Sequence, residues 1–152
     1  PRRRVPVDPV NAVGGVMSRY TLTHVARPWT MNMDSSGRSN RWSKGERVRE
    51  WRGVFHLLAI EQKIPALHAV TVTVVHETAT RRIVDTVACA PAAKAAIDGL
   101  VDAGLWPDDG PSFVTDVTFR PPRCTGRDAL TLILMEVDAA ITPDTTGPRA
   151  LR

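Results

Sequence analysis

No apolar run in this chain reaches the ~20 residues that a helix needs to cross a bilayer, which argues against a helical membrane span. Its basic start, PRRRVPVDPVNAVGG, lacks the continuous apolar stretch of a secretory signal. Cysteine is scarce: Cys89 and Cys124 can pair on number alone, but neither sits in a C-x-x-C, and two reduced thiols in a cytoplasmic protein is the simpler reading. His76-Glu77-Thr78-Ala79-Thr80 begins like H-E-x-x-H and lacks the second histidine, which removes the zincin reading. Cys89-Ala90-Pro91 has the wrong order for a zinc deaminase and no partner cysteine. No G-K-[ST] follows Gly14-Gly15, so no phosphate loop and no nucleotide cofactor are expected. The four histidines have no metal-ligand spacing, and His24 and His56 read as surface or rim positions. There is no internal repeat.

What is present suits one domain with one core. The chain has 152 residues, 43% of them hydrophobic. Residues 1–17 mix proline, glycine, valine and arginine without periodicity and read as an extension, with Met17 a candidate initiator. The domain is expected over 18–138 and a tail over 139–152. Net charge is +4, unevenly spread: residues 1–52 hold 11 lysines and arginines against 4 acids, and the remainder holds 9 against 12. A basic first third can follow a phosphate backbone while an acidic remainder houses a cation. It can equally be an arginine-rich solvated surface.

Periodicity then sets the elements. Tyr20 to Val25 alternates as a half-buried strand does. Residues 26–43 read as a long polar loop, the kind that a small domain keeps for function. Its arginines suit phosphate, and Trp29 and Trp42 either stack on an unpaired base or pin the loop to the core. Ser43 and Glu46 fit a capping box, opening an amphipathic helix over 45–62 with Val48, Trp51, Phe55 and Leu58 on one face. Leu67 to Glu77 is the clearest strand, with Val70, Val72 and Val74 on one side. Thr78 to Arg82 reads as a polar, basic turn and Ile83 to Asp85 as briefly extended. Pro91 suits the first turn of an alanine-rich helix, and Gly104 stops it as a C′ residue. Phe113, Thr115, Val117 and Phe119 share one face of the next strand. Leu130 to Val137 is apolar on both faces and belongs in the middle of a sheet. The order β-α-β-α-β-β gives an α+β domain, a mixed sheet against two main helices.

The segment DTVACAPAAKAAIDGLVDAGLWPDD, Asp85 to Asp109, carries the densest chemistry. Asp85 precedes the helix, Lys94 and Asp98 lie four apart on one face, and Asp108-Asp109 follow the far end. If the next strand runs back beside the first, Asp85 and Asp109 approach closely. Carboxylates then hold magnesium, and the metal with Lys94 offsets charge on a phosphate under attack. Each residue also has a plain structural reading: a turn dipeptide for Asp108-Asp109, an i,i+4 pair for Lys94 and Asp98, a cap or Asx turn for Asp85.

The pattern KAAIDGLVDAGLWPDD, followed by a strand and FRPPRCTGRDALTLILMEV, resembles the RusA-type family of Holliday junction resolvases found widely in phages and prophages. The loop from Arg27 to Asn32 resembles that family's proline-rich, asparagine-containing segment. The likeness covers residues 18–138 and is strongest from Lys94 to Asp109. It implies a small α+β fold, a homodimer, and magnesium-dependent paired nicking of four-way DNA junctions in recombination, repair or phage DNA processing. Manganese is a substitute ion. Carried over by position, Asp85, Lys94, Asp108 and Asp109 are the catalytic candidates, with Asp85, Asp109 and Asp98 as metal ligands. Arg27, Asn32, Arg38, Arg41 and Lys44 are expected on DNA from the first half. Arg81, Arg82, Arg120 and Arg123 are expected there from the second. The chain departs from the family where its second acid and asparagine should stand: those positions are Val87 and Ala88. Either Glu77 or Asp98 fills the gap, metal binding weakens, or the protein binds junctions without cutting them.

Overall fold

A computed structural model describes residues 17–34 and 40–137. The elements run β1 (Arg19–His24), α1 (Met31–Asp34), α2 (Asn40–Glu61), β2 (Val70–Thr78), α3 (Ala90–Asp102), β3 (Val114–Phe119), β4 (Arg123–Cys124) and β5 (Ala129–Glu136). The domain is α+β, a mixed sheet packed with helices, as the periodicity indicates. The path across the sheet is β1-β5-β2-β3, and β4 pairs with the end of β2. β5 is central, flanked antiparallel by β1 and β2, while β3 lies parallel to β2 at the edge.

The core lies between one sheet face and the two long helices. Leu22, Val70, Val72, Val74, Leu130, Leu132 and Leu134 project from the sheet into one cluster. Trp51, Phe55 and Ala59 of α2 meet them, with Ala92, Ala96, Ile97 and Leu100 of α3. Fully burying a leucine or valine contributes about 1.5–3 kcal/mol, so the alternating strand positions alone orient the sheet. On the opposite face no helix of the described residues packs over Thr21, Thr73, Thr131, Ile133 and Met135, which stay half-buried or exposed. At Gly99 the helices touch through backbone: a Cβ there would lie 2.2 Å from the Arg52 carbonyl oxygen.

Both long helices end in the same hydrogen-bonded motif. Gly104, at φ 84°, sends its N–H to Val101 O, and the Leu105 N–H reaches Leu100 O. This is a Schellman cap with Gly104 at C′, closed by the buried Leu100 and Leu105. Lys63 occupies the equivalent place after α2 at φ 53°, with Lys63 N–H to Ile60 O and Ile64 N–H to Ala59 O.

Several expectations are corrected. Residues 26–43 are not one loop, since α1 interrupts them and α2 starts at Asn40. Ser43 and Glu46 therefore lie inside α2, not at its start. Ile83 to Asp85 forms no strand, and β2 begins at Val70 rather than Leu67. The six expected elements are joined by the short α1 and β4. The single face assigned to Phe113, Thr115, Val117 and Phe119 is broken by an irregularity where Val70 pairs with Val114 but Thr71 with Asp116. That extra residue switches the alternation, so Val114 and Phe119 both pack against the core. Trp29 is 2% exposed and meets Trp51 edge-on at 5.8 Å. It pins its segment to the core and is unavailable to stack on a base. Arg38 and the side chains of Arg41 and Trp42 lie outside the described residues.

Candidate nucleic-acid interface

Strand direction decides where the charged loops meet. β1 and β2 both run antiparallel to β5, and β3 is parallel to β2, so β1, β2 and β3 end at the same edge of the domain. Arg27 follows the end of β1, Arg81 and Arg82 that of β2, and Arg120 that of β3. Arg123 opens β4 and Arg127 precedes β5. Residues far apart in sequence are thereby gathered at the carboxyl end of the sheet, where open α/β sheets place ligand crevices.

Three clefts adjoin there. One of about 490 Å³ is lined by Arg81, Arg82, Pro121, Pro122 and Cys124, among others. A smaller one of about 200 Å³ shares Arg82, Ile83 and Val84 with it and adds Arg27, Asn32, His76 and Asp85. The third, about 660 Å³, shares Pro121 and Pro122 and extends onto the uncovered sheet face past Arg19, Arg120, Arg123, Ile133 and Met135. Together the walls carry six arginines and one acid, Asp85.

Pairing separates two kinds of arginine. Arg82 donates to Asp128 at 3.0 Å, and the same oxygen accepts the Ala79 N–H, which fixes the guanidinium at the cleft wall. Arg127 holds Glu77 at 2.9 Å. By contrast, Arg27, Arg81, Arg120 and Arg123 are exposed and form no ion pair among the described residues. Their charge is available to a phosphate. Lys44 is exposed on α2, and Asn32 lines the small cleft.

The acids expected to hold metal divide differently. Lys94 Nζ donates to Asp98 Oδ1 at 2.5 Å and to Asp109 Oδ2 at 2.6 Å. The hydrogen bond from Lys94 outweighs slight burial and holds the Asp109 carboxyl below the ordinary aspartate range. Partial desolvation opposes the lysine's charge, but its bonds to Asp109 and Asp98 prevail and raise the ammonium above its usual value. Asp108 turns its carboxylate onto the Gly110 N–H at 2.6 Å, an Asx-type turn. Asp85 lies in the small cleft, whose walls include none of Lys94, Asp98, Asp108 or Asp109. β3 starts beside Val70, at the opposite end of β2 from the loop carrying Asp85.

Among the described residues no group of three or more histidine, cysteine or acidic side chains is gathered for a metal ion. Glu77 is engaged by Arg127 and Asp98 by Lys94, while the expected second acid is Val87, 47% exposed, and the asparagine position is the buried Ala88. Among the described residues, the side chains at the expected positions do not form the set of ligands that the resemblance implies.

Two residues of the cleft were not anticipated. Arg19 sits on β1 with nothing in its local sequence to mark it. His76 does carry a signal: it continues the alternation of Val70, Val72 and Val74, so a polar ring falls on the core-facing side. It is 1% exposed. Both thiols are free, Cys89 buried and Cys124 exposed, and burial pushes the Cys89 thiol up to about 11. No helix of the described residues is long and apolar enough to cross a membrane. In comparison with known proteins, no family model and no curated protein matches the chain.

Proposed function

We propose that this protein is a RusA-like domain that binds branched, four-way DNA through its phosphate backbone. The observation that carries this reading is the arginine-lined trough at the carboxyl end of the sheet, with six arginines against one carboxylate on its walls. An arginine without an internal partner has no ion pair to break before it meets a phosphate, and the counterions it displaces from DNA favour binding. Because the trough passes from the sheet end onto the open face, it suits a substrate whose backbone changes direction. A twofold dimer would present two such troughs to opposed arms of a junction.

Magnesium-dependent nicking of the junction is the second reading, and Asp85 favours it. This carboxylate lies inside the trough, and magnesium is often held by one or two carboxylates together with phosphate oxygens and water. Asp85 and Asn32 on the walls of the small cleft could contribute oxygen ligands, with manganese as the substitute ion. No catalytic step is assigned to Lys94, Asp108 or Asp109, which are engaged elsewhere.

A four-way junction assayed with magnesium and with chelator, beside Asp85→Asn and Lys94→Ala, separates the two readings. Tight binding with intact strands supports the binding role. Paired nicks that need magnesium and vanish in Asp85→Asn move the assignment to the nuclease. Absence of junction binding at low salt contradicts both.

A further inference from the structure

The smallest cleft differs from the rest of the trough because its walls are tied together. The Met31 N–H bonds Ala88 O at 3.0 Å, and the Ala88 N–H bonds Asp85 O at 3.0 Å. These bonds fasten the segment after β1 onto the start of α3. The space left is about 200 Å³. His76 forms part of its wall, and neither Nδ1 nor Nε2 has a hydrogen-bond partner among the described residues. A buried imidazole with both nitrogens unpaired costs free energy that an aliphatic side chain would not, and in native proteins such a group often marks a site for water, an ion or a ligand.

The surrounding charges select which. Burial, then Arg82 and Arg27, hold the His76 pKa below its usual value, with Asp128 opposing them. In its neutral form the ring has one N–H to donate. Arg27 has no ion pair among the described residues, and Arg82 is positioned by Asp128. Ala88 lines the cavity, and α3 starts two residues later behind Cys89, which makes no side-chain capping bond. The positive end of the helix dipole is thus close by. Asp85 is the opposing group, a carboxylate on the same wall.

We infer that this cavity receives a single phosphate group, gripped by Arg27 and Arg82 and accepting the His76 N–H. The inference rests on the DNA-binding reading and identifies one phosphate that would fix the register of the nucleic acid in the trough. Asp128 already pairs with Arg82, so the unpaired Arg27 guanidinium and the fixed N–H groups of Arg82 and His76 are what favour an anion here, against the one wall carboxylate, Asp85. An internal phosphodiester and a terminal phosphomonoester both present the oxygens required.

The test uses the full chain with 15N-labelled histidine, following the His76 ring nitrogens by NMR. Inorganic phosphate is added first, then a short single-stranded oligonucleotide with and without a 5′-phosphate. Phosphate is expected to shift the His76 signals, and Arg27→Gln to weaken that response roughly tenfold or more, as losing a charge-assisted bond does. A shift by the phosphorylated strand alone identifies a terminal phosphate; equal shifts by both strands identify an internal one. His76→Leu should fold with at least the parent's stability and lose phosphate-specific binding measured calorimetrically. A silent His76, a response unaltered in Arg27→Gln, or a response to magnesium or manganese but not phosphate would overturn the inference. Junction binding by the same samples keeps the two ideas apart. A bound junction with a silent His76 defeats the phosphate cavity alone; a phosphate response without junction binding defeats the DNA reading alone.

Discussion

The two charged regions of this domain differ in what their charges already touch. Around α3, Lys94 satisfies both Asp98 and Asp109, and on another part of the same helix Asp102 is paired bidentately with Arg52 of α2. At the carboxyl end of the sheet, Arg27, Arg81, Arg120 and Arg123 stand without ion pairs among the described residues. The first region is the denser in acids and looks more like chemistry in the sequence. The second has uncompensated charge and concave walls, which a ligand can use. Density of ionisable residues is therefore a poorer guide to a site than the pairing left over after folding.

Scaffold and surface can be separated by mutation. Gly99→Ala strikes the contact on which α3 rests. Its added methyl would meet the Arg52 carbonyl at 2.2 Å, and overpacking of this kind costs about 1–3 kcal/mol or more. Urea denaturation should report a lower midpoint; an unchanged midpoint would mean that the helices are not so closely apposed. Arg120→Gln combined with Arg123→Gln attacks the trough instead. Junction affinity should fall roughly tenfold or more and the salt slope should flatten by about 1.8, with thermal stability within about 0.5 kcal/mol of the parent.

Lys94→Met addresses the other side of the comparison. Junction affinity should stay near the parental value, because Lys94 lines none of the three clefts. Its pairs are exposed enough that stability should drop by no more than about 1 kcal/mol. The pH dependence carries a definite sign. Asp109 is depressed in the fold, so its contribution is present above about pH 4 and disappears as pH falls through the lower folded value. Lys94 is raised, so its contribution is present below about pH 10.4 and is lost as pH climbs through the higher folded value. Asp109→Asn should remove the acid-side component, and acid titration of stability measures it. The mildest probe is Cys124, exposed on the wall of the cleft that it shares with Arg81 and Arg82. A thiol reagent should modify it in the free protein and more slowly with junction bound, while the buried Cys89 reacts only on unfolding.

Much of the fold was legible because it is periodic. The alternation of Val70, Val72 and Val74, the apolar run from Leu130, and the alanines closed by Gly104 each fix an element from local signals. α2 starts earlier than its sequence suggests because Ser43 and Glu46, three apart, satisfy a capping pattern that the interior of a helix also satisfies. α1 has four residues and β4 two, too short for any period to show. The irregularity near Thr71 is invisible without the partner strand. For the site, Lys94 with Asp98 was readable as an i,i+4 pair. Lys94 with Asp109, Arg127 with Glu77 and Arg82 with Asp128 were not, since each depends on where the chain returns. Glu77, a candidate ligand by sequence, is engaged by that tertiary pairing. That β3 runs parallel to β2, so that Asp108-Asp109 precede a strand starting at the far end of β2 from the Asp85 loop, is a topological fact that no spacing encodes.

The most direct measurement of the central claim is the affinity for a four-way DNA junction as a function of salt, in chelator so that cutting does not intrude. Four to six arginines meeting phosphates predict a line in log K against log salt with a slope of about −3.6 to −5.4. A flat line, or no binding at low salt, would contradict the assignment of the arginine trough to DNA.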